Sequence, residues 1–184
     1  MRDASATRRR LLDAAREEFS THGIAGARVD RIAVIAKTNK ALMYHYFESK
    51  NELFDAVFST VVAQVVTGIP LDVYDLPGYA ARLVEAYEEH PDLRRLATWH
   101  RLERSGDAPH GIAVHNIRAR VDIIAAAQRE GRVSDRYPPD VTLMLVHHIA
   151  AVWASAPAEL DLVSAATSWS RAGVVADAVA RLLR

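Results

Sequence analysis

The sequence predicts an all-α protein of about nine helices, and three features of its 184 residues support this prediction. Apolar residues recur every three or four positions, which is the spacing of a helix buried on one side. No stretch alternates apolar and polar residues as a half-buried strand does. Glycine and proline clusters separate the helical stretches. We expect a three-helix domain over residues 1–50, a connecting helix over 51–67, and a larger helical domain over 68–184.

The composition favours a soluble protein without disulfides or thiolate metal sites, because half of the residues are hydrophobic and none is cysteine. The first residues lack the apolar segment of a secretory signal. The longest apolar stretch, from Val141 to Ala156, contains two histidines and is shorter than the roughly 20 residues that a membrane-spanning helix needs. We therefore expect a cytoplasmic protein that does not associate with a membrane.

The charges are unevenly distributed, although the formal net charge is zero. Residues 1–50 carry ten Lys and Arg against six Asp and Glu, and every lysine of the chain, Lys37, Lys40 and Lys50, lies in this segment. A basic segment of this kind is compatible with an ordinary solvated face and with a surface that binds nucleic acid. The charge distribution alone leaves both interpretations open.

The first predicted helix has identifiable start and stop signals. Ser5 or Thr7 can cap its beginning, and Gly23 is its expected end because glycine readily adopts the left-handed conformation that closes a helix. Its buried stripe is expected to contain Leu11, Leu12, Ala15 and Phe19.

Three more helices are predicted before residue 68. A short second helix buries an apolar stripe over residues 29–36. Asn39 is a suitable N-cap for a third helix that runs to about Phe47, and Ser49 can cap a fourth, longer one. The second and third helices, joined by a tight turn, form a helix-turn-helix arrangement.

In a helix-turn-helix, the second of the two helices enters the major groove of DNA with its first turn exposed and its opposite side anchored in a small core. Met43 and Phe47 lie four residues apart and can provide this anchor. The side chains expected to face outward are then those of Lys40, Ala41, Tyr44 and His45. An exposed tyrosine and histidine are suited to contacts with phosphates and base edges.

The segments VDRIA at 29–33 and NKALMYHYFESKNEL at 39–53 resemble the DNA-binding domain of the TetR family of transcriptional regulators. In that family an Ile-Ala pair and a short turn precede Leu-Tyr-x-Tyr-Phe-x-x-Lys-x-x-Leu. This chain has Met43 in place of the usual leucine, Ala41 in place of a common glycine, and Lys37-Thr38 where glycine and valine are common. If Lys37 has a positive φ, the turn carries some strain.

The resemblance implies an all-helical, dimeric DNA-binding regulator that binds a palindromic operator on double-stranded DNA. It places Lys40, Ala41, Leu42 and Tyr44 at groove-facing positions, and His45, Tyr46 and Lys50 at positions that contact the DNA backbone. Arg28 can reach a phosphate from the start of the second helix, and Thr38 and Asn39 complete the expected interface. Core packing of Tyr46 and a solvated Lys50 are the alternatives.

The second domain is expected to hold helices at about 78–90, 92–104, 112–130, 139–155 and 162–183. By resemblance, it senses a small apolar or amphipathic ligand that releases a repressor from its operator. We expect an apolar pocket within residues 78–155, partly lined by Trp99 and by His147 or Trp153. The candidate ligand contacts are Tyr87, Trp99, His100, His115, His147 and Trp153, each of which can instead be an ordinary core residue.

The sequence predicts neither a catalytic activity nor a cofactor, because it has no nucleophile elbow, Walker loop or dinucleotide-binding glycine motif. No metal site is expected either. His147 and His148 are adjacent and point about 100° apart on a helix, so they cannot chelate one ion together. An alternative to the ligand sensor is a second domain that docks a protein partner or only dimerises.

The last two predicted helices each have more apolar surface than one partner can cover. We therefore expect them to pair with their copies across a two-fold axis as a four-helix bundle, giving a homodimer. The predicted interface residues are Val141, Leu145, His148, Ile149, Val152, Val175, Val179 and Leu182.

Overall fold

The computed structural model describes residues 2–104, 111–153 and 169–184, and within these ranges it contains helices and no strand. The predicted all-α class is confirmed. In chain order the described helices are α1 (Arg2–Gly26), α2 (Val29–Ile35), α3 (Lys40–Tyr46), α4 (Lys50–Gly68), α5 (Leu76–Glu89), α6 (Pro91–Glu103), α7 (Gly111–Arg129), α8 (Pro139–Ala150) and α9 (Arg171–Leu182). None of these nine helices is long and apolar enough to cross a membrane.

The chain divides into two compact units. The N-terminal unit consists of Met1–Thr67 with His90–Ala108, and the C-terminal unit consists of Gly68–Glu89 with Pro109–Arg184. The chain first passes from the N-terminal to the C-terminal unit at residue 68, where the sequence analysis also places a domain boundary. Helix α6, however, packs with the N-terminal helices, whereas the sequence pattern groups it with the second domain.

The N-terminal unit is built around a small apolar core to which each of its first four helices contributes. Phe19 of α1, Ile32 of α2, Met43 of α3 and Phe54 of α4 have no exposed side-chain surface. The rings of Phe19 and Phe54 meet edge to face with their centroids 5.2 Å apart. This core fixes the inner side of α3, as the spacing of Met43 and Phe47 predicts.

Helix α1 differs from its prediction at both ends. It begins at Arg2, before the expected caps Ser5 and Thr7, and it resumes beyond the expected stop at Gly23. Gly23 itself is non-helical, with φ 70° and ψ −177°, and the chain then forms one further turn that ends at Gly26. The glycine signal therefore marks a sharp break inside α1 and not its end.

The turn between α2 and α3 closes as the sequence predicts. Lys37 has a φ of 53°, and the N–H of Thr38 donates to the carbonyl oxygen of Ala33 over 2.9 Å. Asn39 then caps α3, because its side-chain oxygen accepts the N–H of Leu42 at 2.8 Å. Lysine therefore occupies a left-handed position that glycine adopts without strain.

The C-terminal unit buries α5 among three other helices. Tyr79 of α5, Ile124 of α7, Val146 of α8 and Val179 of α9 are completely buried. Helix α9 packs along α5, and α8 packs on both α5 and α7. A tight apolar core therefore holds this unit together.

The last two helices are shorter than predicted. Helix α8 ends at Ala150 and a turn follows over residues 151–153, so the predicted helix 139–155 is too long. Helix α9 begins only after Ser170, whose hydroxyl accepts the N–H of Gly173 at 3.0 Å. The predicted single helix over 162–183 is therefore wrong at 169–170, and its first residues lie outside the described ranges.

Replacing Lys37 with glycine is expected to stabilise the protein by about 1 kcal/mol, because the left-handed conformation costs other residues more than it costs glycine. Chemical denaturation followed by circular dichroism measures this change. Lys37→Ala is the matched control, because it removes the same charge but keeps the unfavourable φ. Equal unfolding free energies for the two variants would contradict this interpretation.

Candidate functional site

The outward side of α3 is the candidate nucleic-acid interface. Lys40, Ala41, Tyr44 and His45 are all exposed, whereas Met43 on the opposite side is completely buried. Tyr44 leaves 43% of its surface open, which is high for an aromatic residue. The first turn of α3 thus has the exposure that entry into a major groove requires.

The remaining predicted DNA contacts on and near α3 are less exposed. Thr38, Leu42 and Tyr46 are half-buried, and the ring of Tyr46 meets that of His45 at a centroid distance of 5.6 Å. Asn39 is exposed, but its side-chain oxygen is engaged in capping α3. These residues border the exposed surface, and their contacts with DNA stay a prediction.

Two predicted phosphate contacts lie outside α3. Arg28 is exposed at the start of α2, where its backbone N–H donates to Glu18 at 2.8 Å. Lys50 is half-buried, and its Nζ donates to the carbonyl oxygens of Ala25 and Ala27, each at 3.2 Å. Lys50 therefore has a structural task within the protein besides the DNA contact that the motif implies.

Glu18 is a functional candidate that the sequence analysis missed. Its side chain is only 4% exposed and accepts hydrogen bonds from the Arg28 N–H and from Nε of Arg31 at 2.9 Å. Burial by itself would raise the pKa of Glu18, but these hydrogen bonds outweigh it and the pKa is lowered. The available signal was a carboxylate next to Phe19 in the apolar stripe of α1.

The structure assigns two of the predicted ligand contacts, Trp99 and His100, to the N-terminal unit. The His100 ring stacks on Phe58 of α4 at 4.4 Å and on Phe54 at 6.2 Å. Trp99 lies against Gly23, where a Cβ atom would come within 2.9 Å of its ring. Trp99 thus belongs to a different unit from His147 and Trp153, and the pocket that these residues are expected to line stays a prediction.

A polar cluster occupies the interior of the C-terminal unit. Tyr79 is completely buried, and its hydroxyl lies 3.0 Å from Nε2 of His147 and is hydrogen-bonded to Arg120. Burial, followed by the positive charge of Arg120, lowers the pKa of His147 to about 4. Burial and the neighbouring Tyr79 raise the pKa of Tyr87. Of the six predicted ligand contacts, His147 thus belongs to this cluster, and Tyr87 is half-buried on the same helix as Tyr79.

The other two candidates in this unit lie elsewhere: His115 is exposed and Trp153 is half-buried. A separate open groove of about 600 Å³ lies between α7 and the start of α8. Among the described residues that line this groove, none is one of the six predicted ligand contacts. Its lining consists of Asp122, Ala125, Gln128, Arg129, Asp135 and Pro139.

The predicted dimer residues separate into three groups by their burial within the protomer. Val175 and Val179 are 1% and 0% exposed because they pack on α5 of the same chain, so their assignment to a dimer interface is corrected to the protomer core. By contrast, His148 on α8 is exposed, and Val152 in the turn after α8 is 48% exposed. The half-buried members of the predicted set are Val141, Leu145, Ile149 and Leu182.

Two family models match this chain and together span most of it. Residues 11–57 match the model described as bacterial regulatory proteins, tetR family. Residues 75–181 match the model of a tetracyclin repressor-like C-terminal domain. The first match contains α3 and its turn, and the second contains the polar cluster of the C-terminal unit.

Individual relatives agree with the family models. The chain is 38% identical over 148 residues to the HTH-type transcriptional repressor SCO4008 of Streptomyces coelicolor, covering 79% of this chain and 77% of that protein. It resembles the solved structure of SCO4942, titled as a transcriptional regulator of the same organism, with a TM-score of 0.84, 37% identity, and coverage of 96% and 97%. The regulator FadR of Bacillus subtilis, solved in complex with stearoyl-CoA, shares the fold at a TM-score of 0.67 with 15% identity, covering 95% of this chain and 96% of that one.

The half-buried His147 is expected to make the stability of the protein sensitive to acid, because its pKa is lowered to about 4. The unfolded chain takes up this proton near pH 6.5 and the folded chain only near pH 4, so stability is complete above pH 6.5 and falls as the pH drops towards 4. Between pH 7 and pH 4.5 the histidine is expected to account for a loss of about 2 to 3 kcal/mol. Urea denaturation at the two pH values measures this loss.

His147→Gln should show a smaller acid-induced loss than the wild type, because glutamine has no proton to gain. The exposed neighbour provides the control, and His148→Gln should keep the wild-type pH dependence. Identical pH dependence in His147→Gln and the wild type would show that the histidine is not buried in its neutral form.

Proposed function

Because this chain belongs to the TetR family of bacterial DNA-binding transcriptional regulators, we propose that it is a dimeric repressor that binds a palindromic operator and is released by a small-molecule ligand. The observation that carries the DNA-binding part is the two-sided environment of α3. Its inner residue Met43 is fully buried, while Lys40 and Tyr44 project outward. A helix held in this way can offer side chains to base edges without leaving its core.

Basic residues flank this helix where the DNA backbone would run. Lys37 is exposed in the turn before α3, and Arg28 is exposed at the start of α2. Nζ of Lys40 lies 3.4 Å from Oδ1 of Asp30, and both side chains are exposed. A DNA phosphate can therefore replace Asp30 as the partner of Lys40. Contacts of this kind orient the protein on the duplex and make binding sensitive to salt.

The dimer is proposed to form through the open side of α8. Met144 and His148 lie one helical turn apart on this side, and Val152 follows in the turn directly after α8. Met144 and Val152 are 50% and 48% exposed. A second copy can cover such a stripe by presenting the same stripe across a two-fold axis. Leu182 on α9 remains a candidate member of this interface.

The ligand is proposed to bind in the C-terminal unit, next to Tyr87 and the polar cluster of Tyr79, Arg120 and His147. Directional groups in an otherwise apolar interior are what a selective small-molecule site requires. The stearoyl-CoA complex of the Bacillus subtilis FadR supports this proposal, since that protein has the same fold. We propose an apolar or amphipathic ligand and a homodimer in which its binding changes the affinity for DNA.

The proposed DNA interface separates into residues that read sequence and residues that contact phosphate. Tyr44→Ala is expected to weaken binding to a selected operator duplex by about 1 to 3 kcal/mol, and to affect random duplex less. Arg28→Ala should weaken binding to both duplexes to a similar extent. It should also reduce the slope of log affinity against log salt concentration by about one, the value of one phosphate contact. Fluorescence anisotropy titrations at several salt concentrations measure both effects. Equal losses on both duplexes for both variants would refute this division of roles.

The proposed dimer interface can be separated from the core with two valine variants. Val152→Glu should give a folded monomer, because it places a charge in the proposed interface, in the turn directly after α8. Val175→Glu should unfold the protomer, because this side chain is 1% exposed inside it. Sedimentation velocity and circular dichroism distinguish these results. Val114→Glu, at a valine of similar exposure on α7, is the control and should remain a dimer. If Val152→Glu is also a dimer, the proposed interface is excluded.

A further inference from the structure

Three side chains from three different helices hold residues 24–28, the segment between the break at Gly23 and the start of α2. This segment consists of the last turn of α1 and the two residues that join α1 to α2. Glu18 of α1 accepts its last N–H, that of Arg28, and Lys50 of α4 donates to its carbonyl oxygens at Ala25 and Ala27. The third side chain is Glu103, the last residue of α6, which is about 80 positions away in sequence.

Glu103 performs the task of an N-cap from a distant helix. One carboxylate oxygen accepts the N–H of Ile24 at 3.2 Å, and the other accepts the N–H of Ala25 at 2.7 Å. These N–H groups begin the turn that follows Gly23, where no preceding helical carbonyl oxygen is available to accept them. A carboxylate bound to two backbone N–H groups is a strong, directional contact.

Gly23 is what allows the carboxylate to come so close. A Cβ atom at this position would lie 2.6 Å from Oε1 of Glu103 and 2.9 Å from the ring of Trp99. Its φ of 70° is also one that glycine adopts without strain. The break in α1 and the approach of α6 are therefore parts of one arrangement.

Helix α6 is a firm support for Glu103 because it is attached to the N-terminal unit at both ends. Asp92 at its beginning forms an ion pair with Arg16 of α1. Arg104, directly after its end, pairs with Asp55 of α4 at 2.7 Å. His100 between them stacks on Phe58. The carboxylate of Glu103 thus holds residues 24 and 25 against a helix that is itself fixed.

The position of the segment sets the position of the helices that follow it. Helix α2 begins at Val29, directly after the segment, and α2 packs on α3. We infer that Glu103 is a positioning residue for DNA recognition: by capping Ile24 and Ala25 it fixes the start of α2 and, through α2, the angle at which α3 presents Tyr44. This inference depends on the proposed DNA-binding function.

Because Glu103 is negatively charged, its positioning role and its charge predict opposite changes in DNA affinity when the carboxylate is removed. Removing a carboxylate from a DNA-binding unit lowers its negative charge, which by long-range electrostatics alone strengthens binding to any duplex. A positioning role predicts the opposite for the operator, because a displaced α3 loses its base contacts. Specific and non-specific binding should therefore change in different directions.

The test compares Glu103→Gln with Glu17→Gln, which removes the same charge from an exposed side chain of α1. The probes are a duplex that the wild-type protein enriches from a random library, and a random-sequence duplex. In the wild type each N–H has its own carboxylate oxygen, whereas glutamine replaces one of these oxygens with an NH2 group that cannot accept. Glu103→Gln should therefore bind the enriched duplex about tenfold more weakly and bind the random duplex as well as the wild type or better. Glu17→Gln should lose affinity for neither.

Amide hydrogen exchange without DNA supplies a local readout that is independent of overall stability. In Glu103→Gln the amides of Ile24 and Ala25 should exchange faster, while that of Leu42 in α3 should keep its protection. Unchanged exchange at both amides, or an affinity for the enriched duplex equal to that of Glu17→Gln, would overturn the inference. A wild-type protein that enriches no sequence would instead contradict the proposed function itself.

Discussion

The burial of one side of α3 is the constraint on which the DNA-binding part of this structure depends. A helix of seven residues is too short to be stable in water by itself, so its conformation must come from packing. Met43 supplies that packing together with Phe47, which is 2% exposed just after the helix, and the cap at Asn39 fixes where the helix begins. Because the inner side cannot rotate without exposing Met43, the direction of Tyr44 is also fixed.

Two carboxylates, the buried Glu18 and the exposed Glu103, extend this constraint beyond the first three helices. Glu18 joins α1 to the start of α2, and Glu103 joins α6 to the last turn of α1. The N-terminal unit therefore includes a helix that follows the whole of α5 in sequence, and the chain leaves this unit after Thr67 and returns to it at His90. The proposed ligand response requires the ligand to bind two states of the protein with different affinity. Helix α6 is the described helix of the N-terminal unit whose neighbours in sequence belong to the C-terminal unit.

Local sequence signals predicted the turn and the recognition helix well, whereas long-range partners could not be predicted. The predicted cap at Asn39 depends on neighbouring residues alone and is confirmed. The sequence analysis left the φ of Lys37 open, and the structure gives it the positive value at which the turn carries strain. Gly23 was expected to end α1, but the turn beyond it is capped by Glu103 from far along the chain. An apolar stripe likewise predicts that Val175 is buried, but it does not identify the surface that covers it. In the structure α5 of the same chain covers Val175, and not a second copy. The sequence also could not distinguish a ligand contact from a core residue at His100, which in the structure packs on Phe58 of α4 in the N-terminal unit.

Selection of DNA from a random duplex library by the purified protein tests the central claim most directly, namely that α3 of each subunit in a two-fold dimer reads one half of a symmetric site. The account predicts enrichment of an inverted repeat whose half-site centres lie about one helical turn, or a small multiple of it, apart. The affinity for this repeat should fall steeply as salt is raised. Enrichment of a single asymmetric site, or recovery of a library that remains random, would contradict the account.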